Sequence, residues 1–227
     1  MKEKLFTKWQ ESQQVMIVGV GGFGCKMAAL MQEHELTGVT TVACDTDQKD
    51  WETIEVQNRL LLEKERPNLV WRIIDKGIDF MTSVYDTTNE PSRPTFNVEP
   101  IRKLLNADAK TIIISAGLGG VCGTNAAAQI AREAKAAGKH TIAVVTLPFS
   151  FEGSKRMNQA LSGLSELAPH VGKLHVLNIH NLIDGNTNAA QAFTQAEKII
   201  CGMFYSSLND WNTMKNGDAD SRKVEAN

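Results

Sequence analysis

The chain has 227 residues, 42% of them hydrophobic, with a formal net charge of −2. That is enough for one domain with a sizeable core, and the charge balance argues against a general nucleic-acid binder. Cys25, Cys44, Cys122 and Cys201 are scattered through apolar stretches rather than spaced as a disulfide framework, and the expectation is buried free thiols in a cytoplasmic protein. The first residues carry no leader-like apolar run, and no segment is long enough to insert directly into a membrane.

Residues 15–19 are a continuous apolar run ending in glycine, the pattern of a buried parallel strand. Gly19-Val-Gly-Gly-Phe-Gly24 leads from it into a helix over about 26–35. A second strand is expected at 39–44, with Asp45 and Asp47 just beyond its carboxyl end, followed by a surface helix of mixed charge over 48–66. A short strand and turn fit 68–79, and 83–97, with Pro91 and Pro94, reads as a long loop. Regularity then returns as helix 98–107, strand 111–115 and helix 125–137, which Gly138 stops. Strand 141–146, helix 155–167, strand 174–179 and a long helix from 189 to about 211 complete the pattern, the last with Phe193, Ala196, Ile200, Met203 and Phe204 on one side. Such alternation predicts an α/β, doubly wound, mostly parallel sheet with a long C-terminal core helix. Residues 1–12 read as an N-terminal extension, 13–212 as the domain, and 213–227 as a loop and tail.

The chemistry concentrates in two glycine loops. Ser115-Ala-Gly-Leu-Gly-Gly-Val-Cys-Gly-Thr124 lies between a strand and a helix, the arrangement that offers bare backbone N–H groups to phosphate oxygens. Gly117, Gly119, Gly120 and Gly123 are expected to allow unusual dihedrals and to keep side chains away from a polyphosphate. The lysine of a Walker loop is absent. The first loop, 19–24, fits a dinucleotide fingerprint only with shifted spacing, and Asp45 or Asp47 would then serve a ribose. One sheet with two phosphate cradles suits a longer phosphate tail, although a dinucleotide-dependent oxidoreductase stays open at this point. The five histidines show no metal spacing, and no hydrolase triad is indicated.

Residues 115–124 closely resemble the glycine-rich signature of the tubulin and FtsZ family of GTPases, with Val121 and Cys122 replacing two members of the usual run. The loop 19–24 looks like that family's first nucleotide loop, and Asp45-Thr-Asp47 is similar to its Asn-Thr-Asp element. Thr146-Leu-Pro-Phe-Ser-Phe-Glu-Gly-Ser-Lys-Arg156 resembles an FtsZ sequence almost as it stands. The resemblance spans about 13–47 and 98–223, in the family's order. It implies an FtsZ-like GTPase domain that binds GTP or GDP, with Mg²⁺ beside the phosphates.

By the same resemblance, Gly21, Gly22 and Phe23 would line the α and β phosphates. Gly119, Gly120, Val121, Cys122, Gly123 and Thr124 would wrap the phosphate tail, with the Thr124 hydroxyl among the donors. Glu152 would hold the ribose and Arg156 would sit near the phosphates. Phe193 would stack on the guanine, and Glu197 stands where the family reads the guanine edge. Asp220, with Asp218 beside it, would be the catalytic acid that one subunit presents to the nucleotide of the next, through a loop over 213–227. Head-to-tail self-association, or co-assembly with a full-length FtsZ-like homologue, is therefore expected, and cytoskeletal filaments follow from it. The alternative is a nucleotide-binding regulatory relative with little or no turnover. Three departures accompany the resemblance. Asn178-Ile-His-Asn181 replaces the Pro-Asn-Asp loop, 50–97 does not match the third nucleotide loop, and the family's second domain is not expected after the long helix.

Overall fold

The computed structural model describes residues 15–36, 38–51, 54–64, 95–183 and 187–224, and beyond Leu208 it describes the backbone of the last helix only. Six strands form one parallel sheet in the order β3-β2-β1-β4-β5-β6. They are β1 Val15–Val20, β2 Val39–Asp45, β3 Asn58–Leu61, β4 Thr111–Gly117, β5 His140–Leu147 and β6 Lys173–Asn178. The helices are α1 Gly21–Glu33, α2 Val98–Leu105, α3 Val121–Ala136, α4 Ser154–Leu167 and α5 Ala189–Val224. β1 pairs with β2 on one side and β4 on the other, so Gly19 sits between Ala43 and Ser115.

The central strands are apolar without alternation because helices cover both faces of the sheet. Side chains leave a strand alternately up and down. Val15 and Ile17 of β1, Ile113 of β4 and Val144 of β5 therefore pack with Met27 and Met31 of α1 and with Ile200, Phe204 and Leu208 of α5. Their neighbours Met16, Val18, Ile112 and Ile114 pack on the opposite face against Ile101 of α2, the alanines of α3 and Ala160 of α4. Burial of that many aliphatic side chains is the main stabilising contribution, at about 25 cal/mol for each Å² removed from water. None of the four cysteines is in a disulfide; three are buried and Cys201 is half-buried. No helix among the described residues is long and apolar enough to cross a membrane.

Most expected elements are found with shifted ends, and two expectations change. The segment 48–66 is not a surface helix: Gln48–Trp51 makes a single 3-10 turn and Asn58–Leu61 is a strand. Leu60 and Leu61 pair with Cys44 and Asp45, and the Leu62 N–H donates to the Asp45 carbonyl at 2.8 Å, because β2 offers an open edge that a charged helix cannot satisfy. The long helix, in turn, does not end near Trp211 in a loop but runs as α5 to Val224, through Asp218 and Asp220. No proline interrupts this stretch, and a helical glycine such as Gly217 costs only about 1 kcal/mol. The expected strand at 68–79 and most of the expected loop at 83–97 lie outside the described residues. At the end of that loop Phe96 is fully buried, its N–H and carbonyl both held by the Gln129 amide, at 3.0 and 2.6 Å.

Candidate functional site

The strand order reverses between β1 and β4. Helix α1 leaves β1 over one face and α3 leaves β4 over the other, which opens a crevice at the carboxyl ends of the strands. A cavity of about 440 Å³ occupies that crevice. Gly21, Gly22 and Phe23 wall it on one side and Gly120, Val121, Cys122 and Gly123 on the other. Asp45 and Asp47 close one end, while Glu152, Arg156 and Phe193 complete the wall toward α5. Gly119, Thr124 and Glu197, also expected there, do not line it, and Asp218 and Asp220 lie far along α5.

Both helices begin at the cavity without a side-chain cap and without an acidic residue in the first turn. Their first N–H groups are thus left for a ligand, and the two positive dipole ends converge on one space. Within the two loops only Gly21 and Gly119 have positive φ, 71° and 98°. Gly117, Gly120 and Gly123 do not, contrary to expectation. Gly123 is needed for close approach instead, since a Cβ there would lie 2.3 Å from the Gly117 carbonyl oxygen. The Thr124 hydroxyl is buried and accepts the Gly119 N–H at 2.8 Å, so it braces the loop from behind.

At the far end Asp45 is only 2% exposed. Its Oδ1 accepts the Thr46 N–H at 2.6 Å, while its Oδ2 is buried without a hydrogen-bond partner among the described residues. Burial, and then the Asp45 carboxylate, pushes the Cys122 thiol up to about 12. On the opposite side, Glu152 accepts the Phe149 N–H at 2.7 Å through Oε1 and pairs with Arg156 Nε at 3.1 Å through Oε2. The pair holds the turn between β5 and α4 and leaves the terminal guanidinium nitrogens of Arg156 for oxygen-rich groups.

Phe193 projects from α5 into the cavity wall, 38% exposed, its ring 6.3 Å from Phe23 and edge-on to Phe149 at 5.0 Å. Glu197, one helical turn on, is ion-paired with Lys26 of α1 instead of facing the cavity. Sequence reasoning missed Thr46, Thr146, Pro148 and Ile179 in the lining. All four follow or end a parallel strand, and the rule that ligands sit at strand carboxyl ends would have found them.

The tubulin/FtsZ family model, described as its GTPase domain, matches residues 14–186. The chain is similar to the cell division protein FtsZ of Buchnera aphidicola subsp. Baizongia pistaciae, with 31% identity over 191 residues that cover 83% of this chain and 46% of the relative. It is also similar to that of Aquifex aeolicus, with 30% identity, 82% of this chain and 48% of the relative. Among solved structures, a mutant FtsZ from M. jannaschii superposes with a TM-score of 0.68 at 26% identity, covering 91% of this chain and 59% of that one. CetZ from Methanosaeta thermophila strain DSM 6194, at 16% identity and a TM-score of 0.63 over 87% of this chain and 54% of its own, shares the fold. The chain spans about half the length of the curated relatives it matches. With the two-loop crevice and these matches together, the chain belongs to the tubulin/FtsZ family and is a divergent form of its GTPase domain.

Proposed function

We propose that the cavity binds GTP and GDP, and that GTP is hydrolysed where one subunit stacks head to tail on the next. The observation that carries this is the convergence of two uncapped helix N-termini on one cavity. Backbone N–H groups of Gly21–Gly22 and Gly120–Gly123 would hold the phosphate oxygens, Arg156 would add a charged donor, and Glu152 would meet the ribose. Phe23 and Phe193 offer faces on which a base stacks. The spare oxygen of buried Asp45, with Asp47 beside it, fits a hard cation such as Mg²⁺, which when bound neutralises triphosphate charge.

The length of α5 supports catalysis in trans. Asp220 lies 27 positions after Phe193 on one helix, about 40 Å at 1.5 Å per residue, so it is out of reach of its own subunit's nucleotide. An acid at that distance serves only a subunit stacked along the helix direction. The FtsZ relatives bring cell division and filament formation with them as part of this proposal. One observation favours the reading without turnover: the segment carrying Asp218 and Asp220 is helical instead of a loop that presses toward a neighbour.

GTP turnover measured over a range of protein concentrations separates the two. A rate per subunit that rises steeply with concentration, lost in Asp220→Ala while GTP binding persists, is expected. Unchanged hydrolysis in Asp220→Ala would eliminate catalysis in trans.

A further inference from the structure

Cys122 is the second residue of α3, so it stands among the uncapped N–H groups at the start of that helix. It lines the cavity, as do Asp45 and Asp47, and it is only 8% exposed. Burial first, then the Asp45 carboxylate, raises the thiol, while the Thr46 N–H lowers it. That same N–H donates to Asp45 Oδ1 at 2.6 Å, so sulfur and carboxylate meet at one backbone group. Cys44 packs in the same core cluster but is fully buried and does not line the cavity.

A buried carboxylate oxygen without a donor costs free energy unless it is paired or coordinates a metal ion. Asp45 Oδ2 has no hydrogen-bond partner among the described residues, and its residue is 98% buried at the cavity wall, being 2% exposed. Among the described lining residues Arg156 is the only basic one, and it packs over Gly119 instead. Phosphates held by the two glycine loops would bring more negative charge against Asp45 and Asp47, which a cation between them offsets. No three metal-binding side chains converge among the described residues. A cation here therefore needs phosphate oxygens to complete its shell, as nucleotide-bound cations do.

Mg²⁺ takes oxygen ligands and leaves a thiol unused, whereas Zn²⁺ binds sulfur and oxygen together. On the reading of the cavity as a nucleotide site, we infer that Cys122 Sγ and Asp45 Oδ2 hold a thiophilic divalent cation of the zinc class, completed by phosphate oxygens of the nucleotide. Mg²⁺ uses the same end through oxygens alone, and less tightly. Cys122 binds as the thiolate and its proton passes to solvent, because the cation supplies the positive charge that the buried sulfur lacks. Cys122 is thus the residue that sets which cation accompanies the nucleotide.

The test is equilibrium dialysis of Zn²⁺ and of Mg²⁺ against the whole chain, with and without a slowly hydrolysed GTP analogue. Cd²⁺ titrated into the same samples reports sulfur ligation through its ultraviolet thiolate charge-transfer band. Both measurements are made on the unaltered chain and on Cys122→Ser, with circular dichroism as the check on folding. Cys122→Ala takes its place, with the same expected result, should the serine variant not fold. The unaltered chain is expected to show the band with the analogue bound and to show it much more weakly without it. Cys122→Ser is expected to lose the band and to lower the Zn²⁺-over-Mg²⁺ preference about tenfold or more, as loss of a direct ligand does. A band that is missing, that is as strong without the analogue, or that survives in Cys122→Ser overturns the inference while the nucleotide site stands. So does a cation preference that the variant leaves unmoved. If the GTP analogue binds with neither cation, the nucleotide site falls and the inference with it.

Discussion

Gly119 is where sequence and backbone agree most tightly: φ is 98°, and a Cβ would lie 2.8 Å from Arg156 Cγ. Gly119→Ala is expected to cost about 1–2 kcal/mol in backbone strain and to displace Arg156, lowering both the unfolding midpoint and the affinity for GTP. Arg156→Ala keeps the backbone and should cost affinity alone, about tenfold or more, as read by nucleotide titration beside a denaturation curve. The buried thiols set a separate, pH-dependent expectation. Cys122 is raised to about 12 and Cys44 well above the ordinary 9.0, both chiefly by burial. Groups raised on folding stabilise fully below their unfolded value and lose that contribution as pH climbs toward the folded one. Stability in urea should therefore hold to about pH 8 and decline above 9.0, less steeply in Cys122→Ala. The loop glycines and Arg156 were legible as residue types in a pattern. The pairing of Glu197 with Lys26 was not, because two charges on separate helices reveal no partner until the helices are packed.

α5 performs two tasks along its length, and substitutions should separate them. Phe204 is fully buried against the sheet, so Phe204→Ala should destabilise by about 3–5 kcal/mol in chemical denaturation and leave the cavity wall in place. Phe193, half-exposed at the cavity, should show the reverse: little change in stability for Phe193→Ala and a loss of nucleotide affinity of about 1–3 kcal/mol. The central strands were legible because runs such as Thr111–Ile114, buried on both faces, leave few alternatives. β3 was hidden by its setting. It is four residues long on an edge, its pattern is mixed, and its pairing with β2 fixes it more than its own propensity does. The end of α5 misled for the opposite reason. The family resemblance of 216–224 implied a loop, yet the glycine and aspartates there each cost a helix little.

At the scale of the whole molecule, the order of strands makes the site. Periodicity shows five of the six parallel strands and both glycine loops, but not that β1 and β4 are neighbours, which alone brings the loops into one crevice. That adjacency is a long-range pairing, and no local pattern encodes it. The same packing leaves Val176 of β6 and Ile199 of α5 exposed, 39% and 37%. The most direct test of the crevice as a nucleotide site is hydrogen exchange by mass spectrometry, with and without GTP and Mg²⁺. Slowed exchange should be confined to the amides of 19–24, 117–124 and 148–156, with the Gly21–Gly22 and Gly120–Gly123 N–H groups most affected. Protection elsewhere with these three segments unchanged would contradict the assignment of the site.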